Sequence, residues 1–191
     1  MLAAIAIDHL LKSVQNSSHG VAYVFCNYKA QEELDASSML AAILKQLVQA
    51  QLSLMDPVER LHKQHADRGS RPSFDEIFGA LQDVLTHYST THIVIDALDE
   101  FQDNDGTCRQ FLAKLRNLQT GWDVRLLATS RFIPEVVDAF RAAPRLEVQA
   151  RKEDVKRFVA GQTDQLPRCI RNSLALQEMV QEQIVKAVDG M

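Results

Sequence analysis

A chain of 191 residues with 46% hydrophobic and 24% charged side chains fits one soluble globular domain and is long enough to bury a sizeable core. Its formal net charge of -4 argues against a general nucleic-acid surface, and no apolar run approaches the roughly 20 residues that span a bilayer. Cys26, Cys108 and Cys169 stand far apart with no CxxC pair, which excludes a disulfide framework or a thiolate zinc pattern and suits a reducing cytoplasm.

The opening MLAAIAIDHL lacks a basic n-region, and Asp8 interrupts its apolar run, so it does not read as a signal peptide. Leu2, Ile5, Ala6 and Leu10 recur at helical spacing and predict an amphipathic helix over 1–15. Asn16 to Gly20 is a turn cluster, and VAYVFCNY (21–28) reads as a strand buried on both faces. Leu40, Ile43, Leu44, Leu47 and Val48 predict a helix over 37–54. Pro57, favoured in a first helical turn, opens a shorter helix that fades at Gly69. Ser73 and Glu76 have capping-box spacing and start a helix that runs to about Tyr88.

The apolar run over 92–96 predicts a strand, followed by the acid-rich loop DALDEFQDNDG. A helix over 108–118, a strand over 124–128 ending in ATSR, a short helix from Pro134 and a strand over 146–148 come next. Helices over 154–161 and 170–188 complete the chain. Both ends are helix-forming and lack caps, which reads as truncation. Strands separated by helices imply a parallel sheet with helices on its faces, and such sheets bind ligands beyond the carboxyl ends of their strands. Asp96 and the Thr129–Arg131 stretch both fall there.

An aspartate ending an apolar strand is suited to hold Mg²⁺ beside phosphates, and a second acid just beyond can orient an attacking water. A lone acid of this kind is more often a loop cap, with neighbours such as Asp99 and Glu100 simply solvated. The extra acid pair and the second polar strand end favour a metal–phosphate site. Thr129 and Arg131 add a hydroxyl and a guanidinium that matches phosphate oxygens. Elsewhere, His62 and His65 lack a third metal ligand, Lys152, Lys156 and Arg157 read as a solvated face, and packing accounts for Trp122. No G-x-S-x-G is present, and Leu98 removes a phosphatase-type DxD.

HIVIDALDE, with VRLLATSR downstream of it, resembles the NACHT branch of the STAND P-loop NTPases, most of all the nephrocystin-like domains that precede ankyrin or WD40 repeats in fungal proteins. FCNYKAQEELDASSMLAAILKQLV is similar to that family's second strand and helix, SFDEIFGALQDVL to the helix before the Walker B strand, and LEVQARKEDVKRFV to the fifth strand and its exit. The resemblance implies an α/β three-layer P-loop NTPase core with a parallel sheet, lacking the Walker A strand, over 1–165, and the start of a helical region over 166–191. It implies Asp96 as the Mg²⁺ aspartate, Asp99 and Glu100 as the catalytic acids, and Thr129 with Arg131 as the strand end that senses the γ-phosphate of ATP or GTP. Ala97 stands where many relatives have glycine, and Phe132 where proline often comes after the arginine.

The function so implied is a nucleotide switch in a larger signalling protein, with an effector domain upstream and repeats downstream. Its partners would be those domains or further copies of itself, with no nucleic acid and no membrane. No GxxxxGK[ST] motif and no GK pair occur, and MLAAIAIDHLL resembles the family's helix just after GKT. The chain is therefore expected to begin just past the phosphate loop, to hold nucleotide poorly without that loop's N–H cradle and lysine, and to be poorly stable alone because sheet edges are left unpaired. The alternative is a non-catalytic interaction or scaffold module that has lost nucleotide binding.

Overall fold

The alternation of short β-branched runs with longer amphipathic stretches is realised, in a computed structural model, as parallel strands joined by helical crossovers. The structure describes residues 2–14, 18–27, 35–67, 69–101, 106–149, 152–162 and 166–188. They fall into two compact units, 1–141 and 142–191.

In the first unit, helix α1 (Leu2–Ser13) leads to strand β1 (His19–Phe25), then to α2 (Ala36–Ala50) and a 3-10 turn at Leu52–Leu54. Helices α3 (Asp56–Ala66) and α4 (Phe74–Leu85) precede β2 (Thr90–Asp96). A 3-10 turn at Leu98–Glu100, α5 (Thr107–Gly121), β3 (Val124–Ala128) and α6 (Pro134–Ala139) complete it. The strands form a parallel three-stranded sheet in the order β1-β2-β3. Asp35 and Ser38 close a capping box on α2, and the Ser73–Glu76 box read from the sequence does the same for α4.

The pleat divides the sheet residues between two helical layers. Ala22, Val24, Ile93 and Ile95 pack with Leu40, Ile43 and Leu47 of α2, Leu81 and Leu85 of α4, and Phe111 and Leu115 of α5. On the other face Val94 is buried against Ala3 and Ile7 of α1, with Leu10 and Tyr23 alongside. Central β2 thus reads as one apolar run because both of its faces are covered. His92, on the α1 face, is held towards its neutral form by burial first, and then by Arg125 and His19.

Close approach fixes how α2 sits on β1. A Cβ at Gly20 would meet Leu47 Cδ2 at 2.7 Å, so glycine brings the strand in where a side chain would push the helix off. Tyr88 Oη donates to Leu47 O at 2.7 Å from the other side. Gln46 reaches the outer edge of β1, donating Nε2–H to Tyr23 O at 2.8 Å and accepting the Tyr23 N–H at 3.1 Å. Its amide does for Tyr23 what a neighbouring strand would do.

In the second unit, α7 (Lys152–Gly161), α8 (Arg168–Arg171) and α9 (Leu174–Val188) are joined in part by Gln181 Nε2 donating to Lys156 O at 3.0 Å. Three expectations are corrected. Residues 146–148 form no strand, and Leu146 and Val148 are exposed, because so short a run offers few ladder hydrogen bonds and buries nothing here. The helix expected over 170–188 is two helices, broken at Asn172 and Ser173, whose side chains favour caps and turns over helix interiors. The strand expected over 21–28 starts earlier, at His19, and ends at Phe25, which is exposed rather than buried; Tyr28 lies outside the described residues.

Candidate functional site

Parallel pairing sets Ile95 opposite Ala128, so the next residues, Asp96 and Thr129, leave the sheet side by side at its carboxyl end. Thr129 holds them there. Its N–H donates to Ile95 O at 2.9 Å, and its carbonyl accepts the Leu98 N–H at 2.8 Å. Its hydroxyl donates to Asp96 Oδ1 at 2.6 Å and accepts the Ala97 N–H at 2.9 Å. On the other side, the Cys26 N–H donates to Asp96 O at 2.9 Å. Asp96 is thereby fixed at the mouth of the sheet, half-buried, with Oδ2 taking no hydrogen bond from a described residue.

Beyond Asp96 the chain turns through Ala97 at φ 54° and ψ 48°, the left-handed region that favours glycine. The turn inserts Leu98 into the core, 1% exposed, and so fixes the 3-10 turn that carries Asp99 and Glu100. The Asp99 side chain is 4% exposed and faces the end of β3. Arg131 donates its backbone N–H to Asp99 Oδ1 at 3.1 Å and its Nε–H to Oδ2 at 2.5 Å. Burial pushes the Asp99 carboxyl up, but the side-chain and backbone hydrogen bonds from Arg131 outweigh it, and the net shift is downward. The same contact raises the Arg131 guanidinium.

The acids register on a neighbouring thiol. Burial first, then Cys108, Asp96, Asp99 and Glu100, push buried Cys26 up to about 12, so it stays protonated and is no nucleophile. Five residues singled out in the sequence, Asp96, Asp99, Glu100, Thr129 and Arg131, therefore share one end of the sheet. What the sequence did not reveal is that four of them are tied in two pairs, Asp96 with Thr129 and Asp99 with Arg131.

Other candidates separate from this cluster. His65 pairs Nδ1 with Ser70 Oγ at 2.8 Å and Nε2 with Glu76 Oε1 at 3.2 Å, so both ring nitrogens serve the α3–α4 connection rather than a metal shared with His62. Trp122 packs against the main core, partly buried. Among the described residues, no group of three or more His, Cys, Asp or Glu converges on a metal position. A hollow of about 650 Å³ lies between α3 and the end of α4, lined by Leu54, Asp56, Arg60, Lys63, Asp83 and His87, and no residue of the strand-end cluster borders it. Among the described residues, no helix is long and apolar enough to cross a membrane.

A family model described as nephrocystin 3, N-terminal, matches residues 1–131. The chain belongs to this family. The part of the chain matched to the nephrocystin 3 N-terminal family ends at Arg131 and so contains the whole strand-end cluster. Among curated proteins and among solved structures, nothing matches the chain.

Proposed function

We propose that this nephrocystin 3 N-terminal domain is the nucleotide-switch module of a larger STAND signalling protein of NACHT type, contributing the metal-binding and phosphate-sensing side of an ATP or GTP site. The observation that carries the reading is the Asp96–Thr129 pair at the carboxyl ends of adjacent parallel strands, with Arg131 two residues further on.

The donor set suits Mg²⁺, which keeps most of its waters and needs only one or two carboxylates beside phosphate oxygens. Asp96 Oδ2 would hold it, directly or through water, while Thr129 keeps Oδ1 engaged and the carboxylate oriented. Bound there, Mg²⁺ would draw charge from the phosphates. Asp99 or Glu100, on the turn just beyond, would orient water, and Arg131 would meet the terminal phosphate with its exposed guanidinium. Bound triphosphate would hold the module in one state, and its loss would release surfaces that meet other domains of the parent protein or further copies of it.

The chain's own sequence has no GK pair to cradle the phosphates, so Mg·ATP and Mg·GTP are expected to bind it no tighter than millimolar in calorimetry. An extended chain that carries a G-x-x-x-x-G-K-[ST] loop ahead of α1 is expected to bind at micromolar concentration, and Asp96→Ala is expected to weaken that binding tenfold or more in Mg²⁺ but not in EDTA. Unchanged affinity in that variant overturns the reading. The missing GK pair also favours a second reading, a non-catalytic interaction or scaffold module. An upstream sequence without G-x-x-x-x-G-K-[ST], and no nucleotide binding in the extended chain, would decide for it.

A further inference from the structure

Resting on the switch reading, we infer that Asp99 is the residue that positions Arg131 for a terminal phosphate, and that it is not the acid that handles water. Both Asp99 oxygens are occupied, Oδ1 by the Arg131 N–H and Oδ2 by its Nε–H. The Asp99 side chain is 4% exposed, whereas that of Arg131 is 79% exposed. An acid that orients or deprotonates water must be reachable by water and have a lone pair to offer. Each Asp99 oxygen keeps a second lone pair, but the side chain is engaged by Arg131 and almost wholly shielded from water, and its lowered pKa makes it a weaker base still. Glu100 stands beside it on the same 3-10 turn, half-buried.

The arrangement suits Arg131 to its role. A guanidinium held through Nε keeps its two Nη groups as a fork, and among the described residues neither makes a hydrogen bond. That fork matches two oxygens of a phosphate. A free arginine would lose side-chain freedom on meeting the anion; one already clamped through Nε and its own backbone N–H loses less. Asp99 also ties the end of β3 to the turn after β2, so an anion on the fork acts on the segment that carries Glu100.

The test uses this chain, with ¹⁵N-detected signals of the arginine Nε–H groups and inorganic tripolyphosphate as the probe. The expected result is an Arg131 Nε–H signal protected from exchange with water, lost in Asp99→Ala, partly retained in Asp99→Asn, which keeps one acceptor oxygen, and unchanged in Glu100→Gln. Tripolyphosphate is expected to shift this signal without abolishing it, and to bind Asp99→Ala at least tenfold more weakly than the wild type. Asp99→Asn serves in its place if the alanine variant does not fold. The inference is overturned if the wild-type Nε–H exchanges freely, or if either Asp99 variant leaves signal and anion affinity unchanged while keeping a native backbone spectrum. Failure of the nucleotide reading looks different: Asp96→Ala then leaves nucleotide affinity of the extended chain unchanged while the Nε–H signal and its Asp99 dependence persist, and the clamp stands.

Discussion

Thr129 gives its hydroxyl proton to Asp96 at 2.6 Å and takes the Ala97 N–H at 2.9 Å, so one side chain from the end of β3 fixes both the carboxylate and the turn beyond it. Valine has the same shape but neither donor nor acceptor. Thr129→Val leaves a half-buried carboxylate oxygen and a backbone N–H without partners, which costs about 1–3 kcal/mol. Urea unfolding is expected to show that loss. Thr129→Ser, which keeps the hydroxyl, is expected to recover most of it. Equal stability of the valine variant and the wild type would mean that water replaces the threonine and that the pair is not what orders the strand ends.

Ala97 sits at φ 54°, where a Cβ crowds the next carbonyl. The cost of that conformation for an L-residue is about 1–2 kcal/mol, part of which glycine gives back through its greater freedom in the unfolded chain. Ala97→Gly is therefore expected to stabilise the domain by about 0.5–1 kcal/mol, read as a higher urea midpoint at unchanged slope. A destabilised glycine variant would show that the Ala97 methyl makes contacts that outweigh the strain.

The parts of the fold that were legible in the sequence are those set by neighbouring residues. Ser73 and Glu76 lie one helical turn apart, so their mutual capping is visible in four letters. Val124–Ala128 forms over the run that predicts it, because Asp123 and Thr129 bound it with polar side chains. Strand β2 begins at Thr90, before the apolar run, because the Thr90 hydroxyl donates to Asp123 Oδ2 at 2.7 Å and so tolerates burial. The placement of Asp96 and Arg131 at neighbouring strand ends was legible too. The pairing within the site was not, because Asp99 meets Arg131 only once β2 and β3 are in register, and register is a tertiary property. Leu146 and Val148 carried a strand-like pattern with no burial to enforce it.

Gln46 occupies the outer edge of β1 with both ends of its amide on Tyr23. An open edge is a template for pairing with other chains, and a side chain that fills it blunts that tendency. Gln46→Leu keeps the volume but leaves the Tyr23 N–H and C=O without the amide, at a cost of about 1–3 kcal/mol. The variant is expected to scatter light earlier than the wild type during heating at equal concentration. Loss of stability without faster aggregation would confine Gln46 to a hydrogen-bonding role.

Glu76 gives the fold an acid-sensitive contact between α3 and α4. Its Oε2 accepts the Ser73 N–H at 2.8 Å and the Ser73 hydroxyl at 2.7 Å, while His65 Nε2 lies 3.2 Å from Oε1. The Ser73 backbone bond first, then the Ser73 hydroxyl, lower its carboxyl from 4.5 to about 2 against the opposing effect of burial, with His65 adding a lesser lowering. A depressed carboxyl contributes stability that is full above the unfolded value and disappears as pH falls through the folded one. Between pH 4.5 and about 2 the unfolded chain binds this proton and the folded chain does not, so stability falls across that window. Glu76→Gln is expected to be less stable than the wild type at pH 7 and to lose up to about one proton from the acid slope of the unfolding free energy. Identical slopes for the two proteins over that range would show that the Ser73–Glu76 cap is not formed in solution.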